Sequence, residues 1–158
     1  MKHCFNNALI DILIDLTLII IENIEAHGHQ NISATNSATF EITKENWLTR
    51  KGDCILAIGA TKGAFDLSNA FKMVASQKNA VITFYIEAGG MTASTIGRGD
   101  SQLSFTHPMD LVGRKSNYTC NRTFMVNSKK SALGFPRELI EKLKSHKTLV
   151  KIRLIAEI

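Results

Sequence analysis

The strongest constraint on this chain is the stretch Ala80-Val81-Ile82-Thr83-Phe84-Tyr85-Ile86-Glu87-Ala88, closed by Gly89-Gly90 and resumed by Met91 to Ile96. β-Branched and aromatic residues at this density suit a pleated surface, and a glycine pair supplies the backbone freedom of a tight hairpin turn. The same character recurs along the chain. Leu18 to Ala26, Ala38 to Thr43, Cys54 to Ile58, Gln102 to Thr106, Met109 to Lys115, Arg122 to Val126 and Thr148 to Ile155 all read as strands. Beyond residue 17, two segments carry helical character. Ala64 to Gln77 places Phe65, Leu67, Phe71, Met73 and Val74 at amphipathic spacing. The second opens at Pro136, has Glu138 in its first turn and carries Lys142, Lys144 and His146 at its far end, as a helix dipole favours. The expected fold is therefore α+β: a strand-dominated, curved, mostly antiparallel sheet or partial β-barrel with two helices.

A chain of 158 residues with 44% hydrophobic and 21% charged side chains suits one globular domain, with no disulfide or metal needed merely to fold. The three cysteines, Cys4, Cys54 and Cys120, have no C-x-x-C spacing, which argues against a disulfide framework and a structural zinc site. Residues 1–17 read as an amino-terminal extension containing a short amphipathic helix, with Asp11 and Asp15 on one face, and 18–158 as a single domain. Those two aspartates make the apolar run Ala8 to Ile21 a poor membrane span, and no small-residue cleavage site follows it. A cytoplasmic protein without a membrane span is the expectation.

The net charge of +5 is unevenly distributed. Met1 to Leu48 holds two basic and six acidic residues, whereas the remainder holds 17 basic and eight acidic. A positive field over the later part attracts nucleic acid, nucleotides or acidic metabolites; a solvated lysine-rich surface produces the same count. A short echo, Thr39-Phe40 with Lys44 and Leu48 against Thr123-Phe124 with Lys129 and Leu133, matches a duplicated β-β-α-β unit, although chance similarity between strand-plus-turn segments is the simpler explanation.

The residues able to carry chemistry fall into three groups. His27 and His29 form H-x-H, a spacing that on a strand points both rings to one side as metal ligands require, while the intervening Gly28 suggests a bend that separates them. Glu41 lies on the polar face of an alternating strand: a base or ligand if that face lines a cleft, ordinary alternation if it meets solvent. Asp53 follows Gly52 at a strand entry, where aspartate commonly caps a turn. Gly113-Arg114-Lys115-Ser116, with Arg122 shortly after, offers two guanidinium groups and hydroxyls for a carboxylate or phosphate; the competing role is an arginine paired with Glu41 or Asp53 across the sheet. No phosphate-loop or dinucleotide-binding glycine pattern is present.

From about Ile19 onward the chain resembles the archaeal domain of unknown function 371 family. The resemblance rests on Ala26-His27-Gly28-His29-Gln30-Asn31-Ile32, Ala34-Thr35, Thr39-Phe40-Glu41-Ile42-Thr43 and Leu48-Thr49-Arg50-Lys51-Gly52-Asp53-Cys54-Ile55, then on Val112-Gly113-Arg114-Lys115-Ser116, Arg122-Thr123 and Lys130-Ser131-Ala132. The family usually carries a histidine where this chain has Asn36. The resemblance implies an archaeal setting and no particular activity.

Three functions follow as expectations. One is a binding module for an anionic ligand (nucleic acid, nucleotide or phosphorylated metabolite) that uses Arg114, Lys115, Ser116 and Arg122. The second is a hydrolytic or metal-assisted enzyme that uses His29, Glu41 and Asp53, with His27 and His29 as metal candidates. A structural subunit of a larger assembly or oligomer is the third. The sequence names no cofactor.

Overall fold

The computed structural model describes residues 17–158, so the expected helix within residues 1–17 lies almost entirely outside the described part. Eight strands form two four-stranded sheets. The first contains β1 (Ile19–His27), β4 (Val81–Ala88), β5 (Met91–Arg98) and β8 (Leu149–Glu157), in the order β1-β8-β4-β5 and antiparallel throughout. The second contains β2 (Thr39–Thr43), β3 (Ile55–Ala57), β6 (Asp110–Arg114) and β7 (Thr123–Met125), in the order β3-β2-β6-β7. Its central pair is antiparallel and its two outer pairs are parallel. The helices are α1 (Asn69–Ala75) and α2 (Arg137–Leu143). None of the helices among the described residues is long and apolar enough to cross a membrane.

The strand-dominated α+β class with two helices is as the alternation predicted, but the sheets do not close into a barrel. Single bridges join their edges at two corners, His27 with Ile58 and Arg98 with Val126. Two local expectations change. Ala64 to Gln77 is broken into a 3-10 turn at Ala64–Asp66 and the helix α1, because Leu67 is extended and the Ser68 hydroxyl accepts the N–H of Phe71 to start the helix afresh. Gln102 to Thr106 is not a strand: Phe105 adopts φ 53°, and its side chain turns into the core.

The chain is a tandem repeat. Each half runs long strand, short strand, short parallel strand, 3-10 turn, helix, long strand. The register differs from the sequence echo: Thr123 occupies the place of Ile55, not of Thr39, and Lys62-Gly63-Ala64-Phe65 is matched by Lys130-Ser131-Ala132-Leu133. The match extends to backbone detail. The left-handed residues Ala34 and Gly59 recur as Phe105 and Asn127. Tyr85 pairs with Arg153, its own equivalent, and Glu41 pairs with Val112, likewise its own equivalent, so both pairs lie on the pseudo-two-fold axis.

Each half locks into the other. After β1, Gly28 passes against the end of α2, where His29 N–H donates to Leu143 carbonyl at 2.9 Å. After β5, Gly99 passes against the end of α1, where Asp100 N–H donates to Ala75 carbonyl at 3.1 Å. A Cβ on Gly28 would stand 2.2 and 2.3 Å from the Leu143 and Ser145 oxygens, and on Gly99 2.3 and 2.4 Å from those of Ala75 and Gln77. Only glycine lets the strand end approach the helix end this closely.

Between the sheets, alternate residues of the strands meet in one core. Phe40 of β2 packs on Phe84 of β4 with ring centroids 4.8 Å apart, and Phe124 and Phe135 meet them edge-on or tilted. Gly113, opposite Phe40 in the register, leaves the room that ring fills. With Phe40 and Ile42 committed inward, period-2 alternation sends Glu41 and Thr43 to the outer face of the second sheet.

Candidate functional site

That outer face is not open to water at its centre. Glu41 is only 7% exposed. Asp110 lies on the neighbouring strand and Arg122 at the entry to β7. Arg122 Nη1 stands 3.3 Å from Asp110 Oδ2 and 3.7 Å from Glu41 Oε1. The Thr43 hydroxyl donates to Asp110 Oδ1 at 2.7 Å, the Cys54 thiol donates to Glu41 Oε2 at 3.2 Å, and His107 Nε2 lies 3.8 Å from Asp110. Two carboxyl groups thus share one guanidinium.

Burial raises the Glu41 pKa, and the neighbouring Asp110 carboxylate raises it further. The Cys54 hydrogen bond and Arg122 offset only part of this, leaving Glu41 pushed up from 4.5 to about 7. Burial and the adjacent Glu41 push the Cys54 thiol up to about 12, so it remains a thiol and a donor. For Arg122, burial opposes its charge, but Glu41 and Asp110 outweigh that and hold it protonated.

The cluster opens on a pocket of about 460 Å³ beside the loops that carry Trp47 and Met109. Its lining mixes polar Glu41, Thr43, Glu45, His107 and Asp110 with apolar Trp47, Leu48, Ile55 and Met109. The pocket is open to solvent on the Trp47 side, and its carboxyl groups converge beside apolar side chains.

The turn before β6 places Asp110. His107 Nδ1 accepts the N–H groups of Met109 and Asp110 at 3.1 and 2.9 Å, and the N–H groups of Thr106 and His107 donate to Asn121 carbonyl. The turn before β2 is built in the same way around Asn36. Asn36 Oδ1 accepts from Ala38 and Thr39 N–H, both at 2.9 Å, and the N–H groups of Thr35 and Asn36 donate to Asp53 carbonyl. Asparagine therefore performs in the first repeat the backbone task that histidine performs in the second. A histidine at position 36 would supply the same acceptor, as His107 does in the second repeat.

Of the candidates named from sequence, Glu41 and Arg122 come together; the others serve elsewhere. His29 Nδ1 accepts the N–H of Asn31, a turn cap repeated by Asp100, whose carboxylate accepts the N–H of Gln102. His27 has its Nδ1 3.2 Å from Gly28 carbonyl oxygen and its ring against Gly59, so the bend at Gly28 separates the two histidines. Asp53 accepts from Asn36 Nδ2 at 3.2 Å. Among the described residues no group of three or more His, Cys, Asp or Glu side chains is placed to hold a metal ion.

Arg114 donates to the Thr123 hydroxyl at 2.9 Å and to Cys120 Sγ at 3.2 Å, and stacks on Tyr118. Lys115 and Ser116 are exposed. Burial works against a charge on Cys120, but the Arg122 N–H, the Thr123 hydroxyl and Arg114 prevail and lower its pKa to about 7. Sequence reasoning missed Asp110, His107 and Trp47. The signal that finds the first two is the repeat itself, since His107 is the equivalent of the already suspect Asn36 and Asp110 that of Thr39.

The family model described as a domain of unknown function, number 371, matches residues 24–157. An uncharacterised protein of Methanocaldococcus jannaschii is 46% identical over 127 residues, covering 80% of this chain and 93% of that protein.

Proposed function

We propose that this chain, which belongs to the domain of unknown function 371 family, uses the cluster of Glu41, Asp110 and Arg122 for proton transfer to or from a small, partly apolar molecule. The observation that carries this reading is the pair of carboxyl groups, one of them almost wholly buried, lining a pocket that also has an apolar side. Close carboxyl groups in a site of low polarity cannot both ionise freely, so one keeps a proton that it can give up near neutral pH. Thr43 and Arg122 hydrogen-bond to Asp110, and Glu41 holds the exchangeable proton.

Trp47, Leu48 and Met109 would enclose the apolar part of the ligand. Glu41, Glu45 and Asp110 all line the pocket, so a neutral or cationic hydrogen-bonding molecule suits it better than an anion. This is an acid–base site of different composition from the trio His29, Glu41 and Asp53, of which it retains only Glu41.

The test is a fragment screen read by amide chemical shifts, together with a carboxyl-carbon titration of Glu41. Hits should perturb amides around Trp47 and Met109, lose affinity in Glu41→Gln, and shift the Glu41 titration on binding. Hits that cluster elsewhere, or that bind Glu41→Gln and Asp110→Asn as tightly as the parent protein, would sink the reading.

A further inference from the structure

The repeat has two equivalent corners where the sheets are bridged, and their charges differ. At the first corner β1 meets the residue after β3, presenting Glu25, His27 and Thr61. At the second, β5 meets the residue after β7, and the equivalent positions are Ile96, Arg98 and Lys129. Two adjoining cavities, of about 580 and 330 Å³, open at this second corner and share Arg98 and Asn127. Lys78 lines one and Lys129 the other. All three cations are exposed, and none makes an ion pair with a described residue. The one carboxylate in the lining, Asp100, is held by the N–H of Gln102.

From this geometry we infer a binding groove for the phosphates of a single nucleic acid strand, running along Lys78, Arg98 and Lys129. The cations are strung over two cavities instead of converging on one point, which suits successive phosphates better than one phosphate group. Structural necessity does not explain them, since the first corner makes the same backbone bridge with His27 and Thr61 in place of Arg98 and Lys129. The groove also adjoins the Arg114–Ser116 segment: Asn127 N–H donates to Ser116 carbonyl and Ser128 N–H to Arg114 carbonyl. Lys115, and Arg114 stacked on the exposed Tyr118 ring, thereby extend the basic surface. This places the anion-binding role expected of Arg114, Lys115, Ser116 and Arg122 around different cations, because Arg122 is already engaged by two carboxyl groups.

The experiment is fluorescence anisotropy of a labelled oligouridylate with the full chain over a series of salt concentrations. Binding should weaken steeply with salt, by a log–log slope of about 0.7 for each phosphate contacted. Arg98→Ala with Lys129→Ala should weaken it about tenfold and lower the slope by roughly 1.4, as two lost contacts require. Both side chains are exposed, so the circular dichroism melt should not move. Lys151→Ala, exposed on β8, serves as the control and should leave affinity unchanged. Absence of binding at low salt, equal binding by the double variant, or displacement by inorganic phosphate as effective as by competing strand would each overturn the inference.

Discussion

The two halves of this molecule share a backbone and differ in chemistry. In the second half, His107 caps the turn, Asp110 begins the short strand and Arg122 leads into the next. In the first half, the equivalent places hold Asn36, Thr39 and Cys54, all uncharged at neutral pH. Glu41, on the axis between them, faces apolar Val112 as its own equivalent. A fold that builds the same turns with a neutral set does not need the charged one. The charges of the second half are therefore the part of the structure that the shared turns leave unexplained, which is why the proposed site is built on them.

The comparison is broken most severely at the interlock. Gly28→Ala and Gly99→Ala each drive a methyl group into two backbone carbonyls. Each should cost about 3 kcal/mol or more, the upper range for overpacking a well-packed region, measured by urea denaturation. Unequal costs would show that the halves are not held to each other in equivalent ways.

Next comes the charge on the axis. The folded protein keeps the Glu41 proton up to about pH 7, whereas an unperturbed carboxyl releases it near 4.5. The folded state therefore binds more protons than the unfolded chain between these values, and stability falls as pH rises through that window. Glu41→Gln removes the loss. It should be more stable than the parent at pH 8, by roughly 3.5 kcal/mol for a pKa raised from 4.5 to about 7 at about 1.4 kcal/mol per pKa unit, and should show no gain at pH 4. Denaturation curves at the two pH values check both arms. Asp110→Asn removes the neighbouring negative charge and should shift the Glu41 titration downward, visible in its carboxyl-carbon resonance.

The smallest effect sharpens the contrast. Exchanging the caps, Asn36→His and His107→Asn, retains an acceptor in each turn and should cost less than about 1 kcal/mol apiece by thermal melt. Only His107→Asn removes a ring that stands beside Asp110, so only that variant should disturb ligand binding in the Trp47 pocket.

Much of the architecture was legible in local pattern. Alternation from Thr39 to Thr43 located β2, and the glycine pair after Ala88 located the β4–β5 hairpin, because side-chain period and turn chemistry act between near neighbours. The repeat was glimpsed in the wrong register. Thr-Phe at 39 and at 123 is identical, but the true equivalence rests on backbone conformation at Ala34 and Phe105, which share no side-chain character. His29 and Asp53 drew attention as polar residues beside glycines, and both turned out to support turns.

By itself, the sequence determined where most of the strands lie, that Phe40 and Ile42 oppose Glu41 and Thr43, and which family the chain joins. Only the tertiary structure decided that the face bearing Glu41 is covered, and that Asp110 and Arg122 are what cover it. Those three residues are far apart along the chain, and strand register is set by the closure of both sheets over one core. A carboxyl group's burial and the charge beside it are thus properties of the assembled sheet, beyond the reach of the local pattern that placed Glu41 on its strand.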